Sequence, residues 1–152
     1  MTKIEISQTP KLVNKNIKLY GWVHSRRDHG QIIFIDLRDR TGLIQLVFSP
    51  ENKAVYELAN SLRSEYVISV EGKVNQRPKG MENPKIETGK IEINVEALDI
   101  LAKAKNLPFE ISKDTKSVDE EKRMRYRYLD LRSERMKKNI ISRHKVVKFI
   151  RN

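Results

Sequence analysis

The sequence predicts an all-β chain with one helix, a five-stranded barrel in the order β-β-β-α-β-β followed by a helical C-terminal hinge. Three observations carry that prediction. Runs of alternating apolar and polar residues recur through the first hundred positions. Residues 51–63 instead repeat at the helical period. After Leu101 the alternation stops and the charge changes, from net +2 over residues 1–100 to net +9 over residues 101–152.

In the first strand Ile17, Leu19, Gly21 and Val23 alternate with Lys18, Tyr20, Trp22 and His24. Arg26-Arg27-Asp28-His29-Gly30 follows and reads as a loop closed by turn chemistry. Gln31 to Leu37 is the second strand, and Arg38-Asp39-Arg40-Thr41-Gly42 connects it tightly to the third, Leu43 to Phe48, which Pro50 ends. Val55, Leu58, Ala59 and Leu62 then share one helical face, with Ser49 as N-cap and Pro50 in the first turn. A fourth strand runs from Tyr66 to about Arg77. Pro78, Gly80, Pro84 and Gly89 punctuate a loop, and Lys90 to Leu101 is the fifth strand, with Ile91, Ile93 and Val95 on the face opposite Glu92, Asn94 and Glu96.

Five strands with a helix between the third and fourth is the order of the OB-fold. Its nucleic-acid surface lies on strands 2 and 3 and on the loops joining strands 1–2 and 4–5. Some other small β-barrel or an α+β sheet fits the same order. The barrel is expected over residues 1–101 and a linker or hinge over residues 102–133, where Ala102 to Lys116 shows little periodicity. Ser117-Val118-Asp119-Glu120 has the form of a capping box opening a helix from Glu121 to Leu131. Ser133 opens another over residues 134–152, whose stripe of Met136, Ile140, Val147 and Ile150 is expected to lack cover and to fray or pair with a second copy.

Composition narrows the function. The chain has 152 residues, with 31 Lys and Arg against 20 Asp and Glu, so a formal charge of +11. That excess points to a polyanion, most often nucleic acid. No cysteine is present, which excludes disulfides, thiolate nucleophiles and thiolate-bound metal. The only histidines are His24, His29 and His144, and His24 and His29 read as polar residues rather than metal ligands. No apolar run is long enough to span a membrane, and the N-terminus lacks the apolar core of a signal peptide. A soluble, cytoplasmic protein is expected. The sequence holds no phosphate-binding glycine loop, nucleophile elbow or metalloprotease motif, so no catalytic residue is assigned. Asp36 and Asp39, among Arg38 and Arg40, read as ion pairs fixing a hairpin.

What remains suits single-stranded nucleic acid. If Ile33, Ile35 and Leu37 face inward, Phe34 faces outward. If Ile44, Leu46 and Phe48 face inward, Gln45 faces outward. Phe34 either stacks on a base or packs under a loop, and Gln45 either bonds a base edge or is merely solvated. Arg26 and Arg27 at the loop mouth, and Arg77 at the end of the fourth strand, either grip phosphate or base or are solvated charges. Glu92 either accepts from the amino group of cytosine or pairs with Lys90 or Arg77.

Three stretches together closely resemble the N-terminal anticodon-binding domain of bacterial aspartyl-tRNA synthetases: Gly21-Trp22-Val23-His24-Ser25-Arg26-Arg27-Asp28-His29-Gly30, Phe34-Ile35-Asp36-Leu37-Arg38-Asp39-Arg40-Thr41-Gly42 and Ile44-Gln45-Leu46-Val47-Phe48. Arg125-Tyr126-Arg127-Tyr128-Leu129-Asp130-Leu131-Arg132 resembles the hinge of that family, and residues 134–152 resemble the helix opening its class II catalytic domain. The Gly-Trp-Val element and the Arg-Asp-x-x-Gly turn are shared with the lysyl and asparaginyl enzymes. The resemblance implies that Phe34 stacks on the middle anticodon base, a uracil, and that Gln45 bonds it. It places Arg27 and Asp28 near the anticodon loop with Arg26 in support, Arg77 and Glu92 beside the other two bases, and His29 at a variable place bearing on whether the asparagine anticodon is also accepted. It implies a tRNA partner with no membrane, and no cofactor for these residues. The longer parent would be an aspartate–tRNA ligase, a homodimer using ATP and Mg2+ to attach aspartate through aspartyl-adenylate. The alternatives are a stand-alone single-strand-binding OB protein or the equivalent domain of an asparaginyl or lysyl enzyme.

Overall fold

The computed structural model describes residues 4–152, so the reading of residues 1–3 as part of a leaderless N-terminus lies outside the described residues. The first strand, β1 (Asn16–His29), buries Ile17, Leu19 and Val23 along one face, as the alternation requires. Gly21 is needed there because a Cβ would sit 2.5 Å from the Arg38 carbonyl oxygen of the neighbouring strand. The strand does not end at His24. A bulge between Val23 and Ser25 absorbs His24 as an extra residue and bends the strand, which then stays paired through His29 opposite Ile32. Arg26 and Arg27 therefore lie within β1 and not at the mouth of a loop. The reversal comes at Gly30, where φ is +60.

The second and third strands, β2 (Ile32–Arg38) and β3 (Leu43–Phe48), pair antiparallel. Asp39 builds the turn between them. Its Oδ1 accepts from the Thr41 and Gly42 backbone N–H groups at 2.6 and 3.0 Å, and its Oδ2 accepts from the Ile6 N–H at 2.9 Å. Burial opposes ionisation of Asp39, but these hydrogen bonds outweigh it and hold the carboxyl below its ordinary value. The bond to Ile6 ties down a 3-10 helix, Ile6–Lys11, that periodicity did not predict.

The helix α1 (Lys53–Asn60) is capped by Asn52, whose side chain accepts from the Val55 N–H at 3.4 Å, not by Ser49. Ser49 instead accepts from the Glu51 N–H, which leaves Pro50 in the turn before the helix. The fourth and fifth strands, β4 (Val67–Gln76) and β5 (Ile91–Ala102), complete a closed barrel in the order β1-β2-β3-β5-β4. Among the described strands only the β3–β5 pairing is parallel. Val23, Ile35, Leu37, Ile44, Leu46 and Ile68 are fully buried inside it, each worth about 1.5–3 kcal/mol relative to exposure.

Residues Lys105–Asn152 form a second compact unit. The stretch read as linker is not bare, because Phe109 and Ile111 are buried there with Leu129. Asp119, not Ser117, caps the helix α2 (Glu120–Arg125) by accepting from the Lys122 N–H at 3.1 Å. The expected continuous helix breaks at Tyr126 into a short α3 (Arg127–Asp130). The break turns Leu129 and Asp130 inward, where the Asp130 carboxylate accepts from Arg127 Nη1 at 2.7 Å and from Thr115 Oγ1 at 3.0 Å. Ser133 caps α4 (Glu134–Arg151), and no residue of α4 is buried.

Candidate nucleic-acid interface

Strand register assembles the outer face of the barrel from residues far apart in sequence. Ser25 lies opposite Asp36 and Arg27 opposite Phe34, while Asp36 lies opposite Gln45 and Phe34 opposite Val47. The parallel pairing of Val47 with Asn94 brings Glu92 beside Gln45. A polar row of Ser25, Asp36, Gln45 and Glu92 thus runs across four strands, next to a row holding Arg27, Phe34, Val47 and Asn94.

The polar row is internally bonded. Ser25 Oγ donates to Asp36 Oδ2 at 2.6 Å. Arg27 Nη2 donates to both Asp36 oxygens at 3.0 and 3.2 Å and to Gln45 Oε1 at 3.4 Å. Gln45 Nε2 donates to Glu92 Oε2 at 3.1 Å. These contacts leave Gln45 only 8% exposed, although it points out of the barrel. Phe34 also points outward and is half-buried.

A cleft of about 780 Å³ opens over these rows. Arg27, Asp28, His29, Phe34, Gln45, Arg77 and Glu92 line it, together with Ile32, Val47 and the β4–β5 loop residues Pro78, Met81, Glu82, Asn83 and Pro84. Arg26 is the one predicted site residue that does not. Its guanidinium bonds Asp28 at 2.9 and 3.1 Å and the main-chain and side-chain oxygens of Asn60 at 2.5 and 2.7 Å. A cation at the C-terminal end of α1 is favourably placed against the helix dipole.

Arg77 is 9% exposed. Its Nε donates to the Ile91 carbonyl at 3.0 Å, while Nη2 is buried without a hydrogen bond. Burial pushes its basicity below the ordinary value, partly offset by the carboxylate of Glu92. Burial in turn pushes the Glu92 carboxyl up, against the opposing pull of Arg77 and the hydrogen bond from Gln45. The cleft sets Arg27 and Arg77 against Asp28, Glu82 and Glu92, so a general positive field is not its means of attraction. It offers directed donors and acceptors beside an aromatic ring, the equipment for bases more than for phosphates.

Sequence reasoning did not single out Ile32 or Val47, read Asp36 only as an ion pair fixing a hairpin, and assigned the β4–β5 loop to the surface without choosing residues in it. Ile32, Asp36 and Val47 share the outward parity of Phe34 and Gln45, so strand alternation could have found them. The loop residues carry no comparable periodic signal. His24 lies elsewhere, its Nδ1 3.0 Å from Arg38 Nη1, while Arg38 Nη2 donates to both oxygens of Glu65 at 2.8 Å. No cluster of metal-ligating side chains occurs among the described residues, and no helix among them is long and apolar enough to cross a membrane.

Residues 17–101 match the family described as the OB-fold nucleic acid binding domain. Over 142 residues, 93% of this chain, the sequence is 54% identical to the aspartate–tRNA(Asp/Asn) ligase of Syntrophomonas wolfei. It is equally similar, 54% over 143 residues, to the ligase of the same name from Dictyoglomus turgidum. In both cases the chain spans about a quarter (24%) of the relative's length. The asparaginyl-tRNA synthetase of Pyrococcus horikoshii superimposes with a TM-score of 0.72 at 27% identity, over 88% of this chain and 29% of that one. The aspartyl-tRNA synthetase of Entamoeba histolytica, at 19% identity, shares the fold with a TM-score of 0.76 over 87% of this chain and 32% of its own.

Proposed function

Because this chain belongs to the family of OB-fold nucleic acid binding domains, we propose that its cleft reads the anticodon loop of tRNA as part of an aspartate–tRNA ligase. The observation that carries the reading is the hydrogen-bonded chain Arg27–Gln45–Glu92 beside an outward Phe34 in one cleft. Phe34 stacks on the middle base, and Gln45 keeps one N–H and one lone pair for the edge of that base. Arg77, in the cleft wall with Glu92, lies beside the other two bases. Asp28 and His29 flank the loop, and Arg26 acts only through Asp28. Residues 1–101 serve as the reading domain, 102–133 as hinge and 134–152 as the opening helix of a catalytic domain. ATP and Mg2+ serve the parent outside these residues. The parent acts as a cytoplasmic homodimer.

The names of the relatives bear on Glu92. They are ligases for tRNA(Asp/Asn), whose anticodons GUC and GUU differ in the third base. A carboxylate that told cytosine from uracil there would reject one of the two. Guanine, shared by both anticodons, presents two adjacent donors, N1–H and the 2-amino group, which match a carboxylate. We therefore assign Glu92 to that first base in preference to the cytosine.

Amide chemical shifts test the reading directly. Adding an RNA hairpin with a GUC loop should shift the outward residues of β1, β2, β3 and β5 around the cleft and leave α1 unmoved. Shifts confined to residues 105–152 would mean that the basic second unit binds RNA by charge and that the cleft is not the site.

A further inference from the structure

We propose that Asp36 is a positioning residue that fixes the direction of the Gln45 amide and thereby sets the preference for uracil over cytosine at the middle base. The proposal deepens the anticodon reading above and rests on it. Asp36 takes Arg27 Nη2 on both carboxylate oxygens, at 3.0 and 3.2 Å, and is itself steadied by the Ser25 hydroxyl at 2.6 Å. The Arg27 side chain is 56% exposed. Without that clamp it would be a mobile, solvated cation.

Held by Asp36, Arg27 Nη2 reaches the carbonyl oxygen of Gln45 at 3.4 Å, while the amide nitrogen donates to Glu92 at 3.1 Å. Turning the amide over would set its N–H groups against the guanidinium and its carbonyl against the carboxylate. Two favourable contacts would become two repulsive ones, so the amide has one direction. That direction matters because uracil and cytosine offer the same groups in opposite order. Uracil presents N3–H beside the O4 acceptor, and cytosine presents the N3 acceptor beside its amino donor. An amide free to turn over can satisfy either base, whereas a fixed one satisfies one and leaves the other unpaired. Asp36 acts on this choice through Arg27, from a row position beneath the cleft.

The test uses the 152-residue chain and RNA hairpins whose loops carry GUC or GCC, titrated at one salt concentration. Wild type should prefer GUC. Asp36→Asn keeps the size of the side chain and removes its charge. It should cut the U-over-C preference about tenfold, with a smaller loss of affinity for GUC itself. Arg27→Met removes the same clamp from its other end and should cut the preference comparably. Adding Asp36→Asn to Arg27→Met should change the preference no further. A wild-type preference that survives Asp36→Asn within twofold would overturn the proposal while leaving the anticodon reading intact. Additive losses in the double variant would also overturn it, because Asp36 would then act other than through Arg27. Equal wild-type affinity for GUC and GCC would refute the reading of the middle base, and this proposal with it.

Discussion

Replacing Glu92 by Gln is the substitution with the most specific expected signature. The Glu92 Oε2 atom accepts from Gln45 at 3.1 Å, and the rest of the carboxylate remains available to the cleft. If it accepts from both N1–H and the 2-amino group of guanine, the pair of charge-assisted bonds is worth about 1–3 kcal/mol of discrimination. A glutamine retains a single carbonyl acceptor, so roughly half of that is lost, about two- to tenfold in affinity for a GUC hairpin. Inosine at the first base keeps N1–H and lacks the amino group. Wild type should therefore lose affinity on going from GUC to an inosine-UC loop, and Glu92→Gln should lose markedly less. The assay is the ratio of the two dissociation constants at fixed salt. A ratio identical in wild type and variant would remove Glu92 from the guanine amino group. A change confined to the C-to-U ratio at the third base would assign Glu92 to cytosine instead. Stability offers an independent check. The folded-state pKa of Glu92 is raised, chiefly by burial, so its charged form weakens the fold at pH values above that raised pKa. Glu92→Gln should be the more stable protein at neutral pH. The gap should close as pH falls through the raised value toward the ordinary 4.5.

Three further outcomes are expected. Phe34→Ala should cost about 1–3 kcal/mol of RNA binding while the thermal unfolding midpoint moves little, because the ring lies outside the barrel; a large loss of stability would place Phe34 in the core. Burial, with Arg38 alongside, depresses the His24 pKa below 6.5, so the fold should lose stability as pH drops through 6.5 toward the lower folded value. His24→Asn, whose amide oxygen can take the place of Nδ1, should flatten that slope in thermal melts recorded between pH 7 and 5. Finally, α4 buries no residue and leaves Phe149 86% exposed, so its amides should exchange with deuterium faster than those of β2 and β3.

Strand parity made much of the barrel and of its candidate site legible in the sequence. Ile33, Ile35 and Leu37, and then Ile44, Leu46 and Phe48, alternate strictly enough to fix which way Phe34 and Gln45 point. Features that depend on contacts between distant residues were not legible. The bulge at His24 reverses which residues face outward, and because His24 to His29 are all polar no alternation remains there to show that β1 continues through Arg26 and Arg27. Asn52 caps α1 while its amide also donates to the Glu96 carbonyl at 3.0 Å, a contact that no inspection of residues 49–53 reveals. Arg26 and Arg27 are chemically identical neighbours, yet strand alternation sends one to Asn60 and the other to Asp36. The break at Tyr126 follows from burying Asp130 among hydrogen bonds, against the helical preference of its neighbours.

The most direct measurement of the central claim is a titration of this chain with four hairpins at one salt concentration: GUC, and the same loop with the first, second or third base changed to A, C or U respectively. The account predicts the tightest binding for GUC, a loss of about 1–3 kcal/mol for the first and second changes, and little loss when the third base becomes U. Equal affinity for all four would show that the cleft does not read bases. Tight binding by the first- or second-base variants would show that Glu92 or Gln45 does not face the base assigned to it.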